Sequence, residues 1–84
     1  MKINKYELQD HLIKVDTGAL YKIIKITWVE TNKKKQPVND WLYDCETLYG
    51  DQRNFVRYYE TRLDKEFFQV PKDDETVQAI LKRG

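Results

Sequence analysis

Short runs of β-branched and aromatic residues, separated by polar turn signals, dominate the chain between Gly18 and Pro71. Asp16-Thr17-Gly18 and the stretch from Gly50 to Asn54 carry the glycine, aspartate and asparagine that are typical of tight turns. The runs between these signals predict four strands: Leu20–Val29, Trp41–Tyr49, Asn54–Tyr59 and Glu66–Val70. We therefore expect a small, meandering antiparallel sheet that curls into a barrel.

Alternation within the two longest runs assigns side chains to faces. In the run that begins at Trp41, aromatic and sulfur-bearing side chains alternate with Asp44 and Glu46, so the Trp41, Tyr43 and Cys45 face is predicted to point inward. The first run is apolar on both faces: Leu20, Ile24, Ile26 and Trp28 share one, and Tyr21, Ile23, Thr27 and Val29 share the other. This pattern predicts a strongly bent strand that serves both a barrel interior and a covering helix.

The beginning of the chain predicts a short helix. Asn4 followed three residues later by Glu7 resembles a capping box, which indicates a helix over residues 5 to 13. Ile13 and Val15 are equally compatible with the start of a strand.

A second short helix is predicted at the other end. Asp73 or Asp74 can cap it, and its apolar residues recur at helical spacing as Val77, Ile80 and Leu81. We expect this stripe to dock on the open side of the barrel rather than in a partner's groove, because so short a helix is marginal alone. The stretch from Glu60 to Lys65 is interpreted as a loop or one turn of 3₁₀ helix.

Composition favours one folded domain spanning residues 1–84, with 40% hydrophobic residues and a net charge of +1. So small a charge supplies no general field that would attract nucleic acid or an anionic membrane. No apolar run approaches the roughly 18 residues that span a bilayer, and the first residues lack the apolar core of a signal peptide. We expect a cytoplasmic protein without a membrane partner. Its single cysteine excludes an internal disulfide, so stability must come from packing, with self-association left open.

Candidate catalytic residues are few, and no enzymatic function is predicted. His11, the only histidine, has neighbours that suit a surface or capping role better than catalysis. Cys45 stands between two acidic residues, which raise rather than lower a thiol pKa, so a buried structural role is expected. The spacing of the carboxylates matches no metal-binding loop, and the isolated glycines form no phosphate-cradling loop. We therefore expect no cofactor, no metal and no catalytic residue.

Aromatic residues in excess of what a small core needs favour a binding function, with a protein as the first-choice partner. Rigid aromatic side chains anchor interfaces at low entropic cost. The predicted partner-binding residues are Trp41, Tyr43, Tyr58, Tyr59 and Arg57.

The alternative partner is nucleic acid. Lys33, Lys34 and Lys35 lie in a predicted hairpin loop, and Arg53 flanks the next turn, so a basic edge beside aromatic residues is conceivable. Three lysines at a hairpin tip equally serve solubility and protect an edge from aggregation. Acidic residues scattered among the lysines favour a protein partner over a polyanion.

The chain resembles a family of short bacterial proteins of unknown function. The residues that carry the resemblance are the segment Gly18-Ala-Leu-Tyr-Lys-Ile-Ile24, the Leu48-Tyr-Gly-Asp51 turn, Phe55-Val-Arg57 and the later Phe67 and Phe68. The resemblance covers residues 18 to 70 and implies an SH3-like barrel of four or five strands, with no active site to carry over. The chain departs from the family pattern at Phe55, where the family has tryptophan, and at Tyr58, where it has proline.

Small phage-encoded inhibitors share this size and composition, although no motif links them to this chain. The resulting hypothesis is a mainly β (α+β) domain that acts without catalysis. It would bind a host protein as a small phage or mobile-element inhibitor or adaptor.

Overall fold

One five-stranded antiparallel sheet organises the chain. The structure, a computed structural model, describes residues 1–71 and 74–83, apart from the side chains of Thr76 and Arg83. Its elements are β1 (His11–Lys14), β2 (Leu20–Thr31), β3 (Pro37–Tyr49), β4 (Phe55–Tyr59), α1 (Glu60–Glu66), β5 (Phe67–Val70) and α2 (Glu75–Arg83). The strand order is β4-β3-β2-β1-β5, so four strands form a meander and the last strand returns to pair with the first. The predicted mainly β antiparallel fold is confirmed.

The sheet is curled but not closed. Tyr58 on β4 and Phe67 on β5 lie at opposite ends of the strand order, yet their ring centroids are 5.4 Å apart. Side chains therefore bring the two edges towards each other, while hydrogen bonds do not join β4 to β5. The closed barrel that the strand pattern predicted is not formed, because closure requires a continuous hydrogen-bonded ladder around the sheet.

The inner face of the curled sheet holds the larger hydrophobic core. Its buried members come from every strand, from α1 and from the N-terminal segment: Tyr6, Leu12, Ala19, Tyr21, Ile23, Tyr43, Cys45, Val56, Tyr58, Leu63 and Phe67. Tyr43 and Cys45 are almost completely buried, which confirms the predicted inward face of β3. Tyr49, at the end of that alternation, is 49% exposed; it pairs with Leu20 beyond a register shift that follows the pair Tyr21↔Thr47.

A smaller core lies on the opposite face. Leu20 alternates with Tyr21 along β2, and it packs with Ile13, Val70 and Val77 of α2. Val77 is fully buried and Ile80 packs against the same core, so the predicted C-terminal helix is confirmed. Leu81 of the predicted stripe is 41% exposed, and the helix docks on a face of the open sheet rather than on the open side of a barrel. The predicted cap at Asp73 lies outside the described residues. The carbonyl of Asp74 accepts a 3.0 Å hydrogen bond from the backbone N–H of Gln78.

The predicted N-terminal helix is wrong. Residues 5–10 form turns, and β1 begins at His11. The amide of Asn4 donates to the carbonyl of Tyr6 at 2.8 Å, and the N–H of Glu7 binds Asp10, so neither residue of the supposed capping box caps a helix. Gln9 has a φ of 73°, which interrupts any helix there.

Two further expectations are corrected. His11 is 8% exposed within β1, between β2 and β5, so the predicted surface or capping position is wrong. The stretch from Glu60 is a seven-residue α-helix rather than a loop or a 3₁₀ turn. Its Leu63 is fully buried, and packing of that side chain against the inner core stabilises a helix too short to persist alone.

Candidate functional site

β4 forms one edge of the sheet, and its hydrogen-bonding direction follows from its register. The N–H of Thr47 donates to the carbonyl of Asn54 at 2.9 Å, which makes these two residues a hydrogen-bonded pair. Such pairs alternate along an antiparallel ladder. The backbone groups of Val56 and Tyr58 therefore point towards β3, opposite Cys45 and Tyr43.

The intervening residues of β4 direct their backbone groups away from the sheet. These residues are Phe55, Arg57 and Tyr59, and no strand in the described part of the chain pairs with this side of β4. Tyr59 is also the N-cap of α1, so its carbonyl accepts the first hydrogen bond of that helix and only its N–H stays available at the edge. The side chains of all three residues lie on the outer face, because residues two apart along a strand share a face. The Phe55 side chain is 62% exposed and Arg57 is also exposed, so unpaired backbone and accessible side chains occur together.

A cleft of about 440 Å³ adjoins this edge on the outer face. It is lined by Ile24, Asp44, Phe55, Val56 and Arg57. Between the pairs Ile23↔Cys45 and Lys25↔Asp44 the register shifts by one residue, and Ile24 is the extra residue of this β-bulge. Bulges re-aim a side chain. Ile24 is 39% exposed beside the cleft, although the sequence pattern placed it on an apolar face with Leu20.

The outer face around the cleft carries a small excess of positive charge. Register places Lys22 opposite Glu46, and Lys25 and Arg57 on either side of Asp44. These three cations and two anions leave a net charge of +1. The Nε of Arg57 donates to Oδ1 of Asp44 at 2.5 Å, and the Arg57 side chain is 66% exposed. Its two terminal nitrogens have no protein partner among the described residues and remain accessible to an anion.

The opposite edge of the sheet does not offer the same combination. The N–H of Val15 donates to the carbonyl of Glu66, which makes these two residues a hydrogen-bonded pair. Because such pairs alternate, Phe67 and Gln69 are the residues of β5 whose backbone groups point away from β1. Phe67 is 5% exposed in the inner core, and the Gln69 amide donates to Asp10 at 2.8 Å. The outward residues of β5 therefore present no exposed apolar side chain.

The predicted partner-binding residues are divided by the sheet. Tyr43 is fully buried and Tyr58 is 7% exposed, so neither lies on the accessible surface where a partner would meet it. Tyr58 is covered by the Arg62 guanidinium at 4.3 Å from the ring centroid. Arg57 and Tyr59 lie on the outer face of β4, and Tyr59 is half-buried.

Trp41 also lies apart from the β4 edge. Its ring packs edge-to-face on Trp28 at 5.2 Å, and its Nε1 donates to the carbonyl of Lys2 at 2.7 Å. These contacts stabilise the protruding β2–β3 hairpin against the N-terminal segment. The four aromatic residues of the predicted site therefore do not form one surface.

The residues of the nucleic-acid alternative are also separated. Lys33, Lys34 and Lys35 are exposed at the tip that joins β2 to β3, whereas Arg53 lies in the turn after β3. The 13 residues of β3 lie between these two places. At about 3.3 Å per residue, this separation is about 40 Å.

The Arg53 guanidinium is also occupied by hydrogen bonds within the protein. Its guanidinium binds Asp51 through two nitrogens, at 3.2 and 2.8 Å, and contacts the hydroxyl of Tyr58 at 3.3 Å. Hydrogen bonds from Arg53 and then from Tyr21 hold the pKa of Asp51 below its usual range. The cleft of about 400 Å³ beside these residues therefore has its principal charges already paired.

Two buried carboxylates lie at the N-terminal side of the inner core. Lys2 contacts Asp40 at 2.9 Å and Glu60 at 3.2 Å. Glu60 also accepts hydrogen bonds from the Tyr43 hydroxyl and the Lys5 N–H, each at 2.7 Å. Each carboxylate is surrounded by donors from the chain itself, so the pair holds the N-terminal segment on the core.

The remaining candidate nucleophile is inaccessible. Cys45 is 1% exposed, and burial, with a smaller contribution from Asp44, raises the pKa of its thiol to about 12. The predicted buried position is confirmed. Among residues 1–71 and 74–83, no three histidine, cysteine or acidic side chains are grouped so that they could hold a metal ion. Within the same described ranges, no helix is long and apolar enough to cross a membrane.

Comparisons of the chain with protein-family models, with curated proteins and with solved structures find no match. The candidate site therefore depends on the geometry of β4 and its neighbours.

Sequence reasoning missed Phe55 and Ile24 as site residues. The alternation of β4 places Phe55 on the same face as Arg57 and Tyr59, so this signal was available. Ile24 carried no such signal, because a bulge depends on which residues of the neighbouring strand are paired.

Proposed function

We propose that this chain is a non-catalytic protein-binding module that takes up an extended segment of a partner protein along β4. The observation that carries this proposal is the unpaired outer edge of β4 beside the exposed Phe55 and the Ile24 cleft. Strand addition of this kind derives affinity from main-chain hydrogen bonds and specificity from adjoining side-chain pockets.

Proline at position 57 tests the edge directly. The N–H of Arg57 points away from β3, so Arg57→Pro removes an outward donor without removing a β3–β4 hydrogen bond. Arg57→Ala is the matched control, because it removes the same side chain and keeps the N–H.

The measurement is capture of proteins from a lysate of the source organism, with nuclease treatment, quantified by mass spectrometry. We expect Arg57→Pro to lose the proteins that the wild type captures, and Arg57→Ala, which lacks only the side-chain contribution, to retain them at reduced recovery. Circular dichroism and thermal unfolding verify that both variants fold. Equal recovery by a folded Arg57→Pro variant, or recovery abolished by nuclease, contradicts the proposal.

An SH3-like arrangement of the open, curled sheet and the inhibitor or adaptor role belong to the same proposal. A meander whose first strand also pairs with the last, curled until Tyr58 meets Phe67, supports a barrel-like fold. An edge that binds an extended segment suits an inhibitor or adaptor, because such a protein acts by occupying a partner's surface.

Nucleic-acid binding is retained as a second candidate, restricted to the β2–β3 tip. Oδ1 of Asn32 accepts hydrogen bonds from the N–H groups of Lys34 and Gln36, at 2.9 and 3.0 Å, so the tip has a defined shape. In the described part of the chain, the three lysine ammonium groups of residues 33–35 form no ion pair with a carboxylate. If they bind phosphates, replacing all three with glutamine makes the plot of the logarithm of the binding constant against the logarithm of the salt concentration less steep, by about two to three in slope. An unchanged slope removes this candidate.

A further inference from the structure

We infer that the segment bound by β4 carries an acidic residue flanked, at alternate positions, by two apolar residues, with small residues between them. This inference rests on the proposed function and specifies the chemistry of its partner. It follows from which residues of β4 form hydrogen bonds outward and from what surrounds their side chains.

The register of an added strand is determined by β4 itself. Phe55 and Arg57 offer outward N–H and C=O groups, so an antiparallel segment forms its hydrogen-bonded pairs with them. Tyr59 adds one outward N–H, because its carbonyl accepts the first hydrogen bond of α1 as the helix N-cap. Directly opposite residues share a face and their side chains touch. Alternate residues of the segment therefore lie beside Tyr59, Arg57 and Phe55 on the outer face.

The two end positions favour apolar side chains. Phe55 is 62% exposed at one end, next to Ile24 at 39%, and Tyr59 is half-buried at the other. Aromatic side chains pair well across strands with β-branched residues. Isoleucine or valine at both positions would cover this apolar surface.

The middle position favours an acidic side chain. The Arg57 guanidinium uses Nε to bind Asp44 and leaves its terminal nitrogens accessible. The surrounding side chains of Lys22, Lys25 and Glu46 keep the net charge of this face positive. A carboxylate opposite Arg57 would therefore gain a favourable, partly exposed ion pair.

Small residues suit the intervening positions, which lie opposite Val56 and Tyr58 on the inner face. Tyr58 is already covered by Arg62 at 4.3 Å and packs against Phe67 at 5.4 Å. A large side chain would have to displace these contacts.

A second copy of this chain fits the edge less well. Two copies could pair their β4 strands antiparallel about a two-fold axis. If all three outward residues took part, Phe55 would lie opposite Tyr59 of the other copy, and Arg57 would lie opposite Arg57 of the other copy. Like charges directly opposite each other destabilise a strand pair. The geometry therefore favours a different protein that supplies the acidic residue.

Three synthetic peptides test the inference. Each is capped at both ends and has the core Ile-Ser-X-Ser-Ile, where X is glutamate, glutamine or lysine. Binding is measured by titration into isotope-labelled protein, using backbone amide shifts and amide exchange. On binding, we expect the Phe55, Arg57 and Tyr59 amides to shift and gain protection. Val56 and Tyr58 should already be protected in the free protein.

The charge of X should determine the order of affinity. We expect the glutamate peptide to bind about three- to fivefold more tightly than the glutamine peptide, as for an exposed ion pair, and the lysine peptide most weakly. Arg57→Ala should abolish the difference between glutamate and glutamine. Arg57→Glu should reverse the order in favour of lysine.

Each contrary outcome is informative. Equal affinity of the three peptides at β4, or a preference that survives in Arg57→Ala, overturns the inference and leaves the proposed function standing. If no peptide binds while Arg57→Pro still abolishes protein capture, the inference is likewise overturned and the proposed function stands. A concentration-dependent dimer whose β4 amides become protected identifies a second copy as the occupant and also overturns it. Failure of the proposed function is recognised separately, by unchanged capture in Arg57→Pro.

Discussion

The hydroxyl group of Tyr43 links the inner core to the N-terminal segment, and removing it should measurably destabilise the fold. This fully buried side chain donates a 2.7 Å hydrogen bond to Oε1 of Glu60 and lies 3.4 Å from the N–H of Tyr6. Burial, and then the bond to Glu60, raise the pKa of Tyr43, so the hydroxyl remains a donor at neutral pH. Tyr43→Phe preserves the ring and removes the hydroxyl that donates to Glu60 and accepts from the Tyr6 N–H.

The expected magnitude follows from the charge of the acceptor. A hydrogen bond to a charged group contributes about 1.5–3 kcal/mol, so the free energy of unfolding should fall by about that amount. Glu60 keeps Lys5 and Lys2 as partners, and the Tyr6 N–H loses only a long 3.4 Å hydrogen bond, so the loss should stay near the contribution of the bond to Glu60. With a urea m value of about 1.5 kcal/mol per molar, the midpoint should fall by about 1–2 M.

Urea unfolding followed by circular dichroism at neutral pH measures this change. Tyr49→Phe is the matched control, because Tyr49 is 49% exposed and its replacement should cost less than about 0.5 kcal/mol. A double-mutant cycle with Glu60→Gln isolates the coupling between the two side chains. A loss in Tyr43→Phe no larger than in the control would refute the assignment of this buried hydrogen bond.

Three further predictions concern the thiol, the turns and acid stability. With a pKa raised by burial to about 12, the Cys45 thiol should resist a disulfide reagent at neutral pH and react once guanidinium unfolds the chain; rapid native reaction would contradict its burial. Gly18→Ala, at φ +73° in open space, should lower unfolding free energy by about 1 kcal/mol. Gly50→Ala, at φ +86° with the new Cβ 3.1 Å from the Ala19 Cα, should cost more, and equal costs would exclude the close contact. Burial opposes ionisation of Asp40, but hydrogen bonds from a lysine, a threonine and the backbone outweigh it and lower its pKa. Its stabilisation is therefore complete above an unfolded pKa of about 3.9 and is lost as pH falls through the lower folded value. Asp40→Asn should flatten stability over that acid range in pH-dependent urea titrations, and an unchanged slope would disprove the linkage.

The candidate site combines features that a stable monomer normally keeps apart. Exposed strand edges invite pairing with other chains, and proteins usually guard them with charge or cover them. β4 carries one charge, Arg57, between Phe55 and the half-buried Tyr59, and its outward backbone groups are uncovered. Under the proposed function, the charge of this edge would exclude unsuitable partners and select a segment that supplies the opposite charge.

Much of the architecture was readable from local patterns. Turn residues at Gly18 and Gly50 both adopt positive φ, at 73° and 86°, where the sequence predicted turns. The inward face of β3 and the packing of Val77 and Ile80 of α2 were also predicted correctly, because each side chain's face follows from the period of its own element. Leu81, the third residue of the predicted stripe, is 41% exposed.

Partner assignments within the fold were not readable in the same way. Asn4 and Glu7 have the spacing of a helix cap, yet residues 9 and 10 instead hydrogen-bond with Ile23 of β2 at 2.9 and 3.0 Å. A local helix signal was overridden because a tertiary ladder satisfied the same backbone groups and buried Leu12 and Ile13 on two faces. The division of Tyr58 and Tyr59 between core and surface likewise depended on which face of β4 the assembled sheet buries.

The sequence by itself determined four of the five strand-forming runs, the turns between them, the helix that follows β5 and the burial of Cys45, because these depend on residue type and short-range periodicity. It did not determine β1, whose first residues lay in a predicted helix. Only the tertiary structure decided that the sheet stays open, that Ile24 lies in a bulge, and that Phe55 and Arg57 share an unpaired edge. These features arise from pairing between residues distant in sequence. A strand's pattern indicates which side chains it buries, whereas the number of neighbours it has is decided by the assembled sheet.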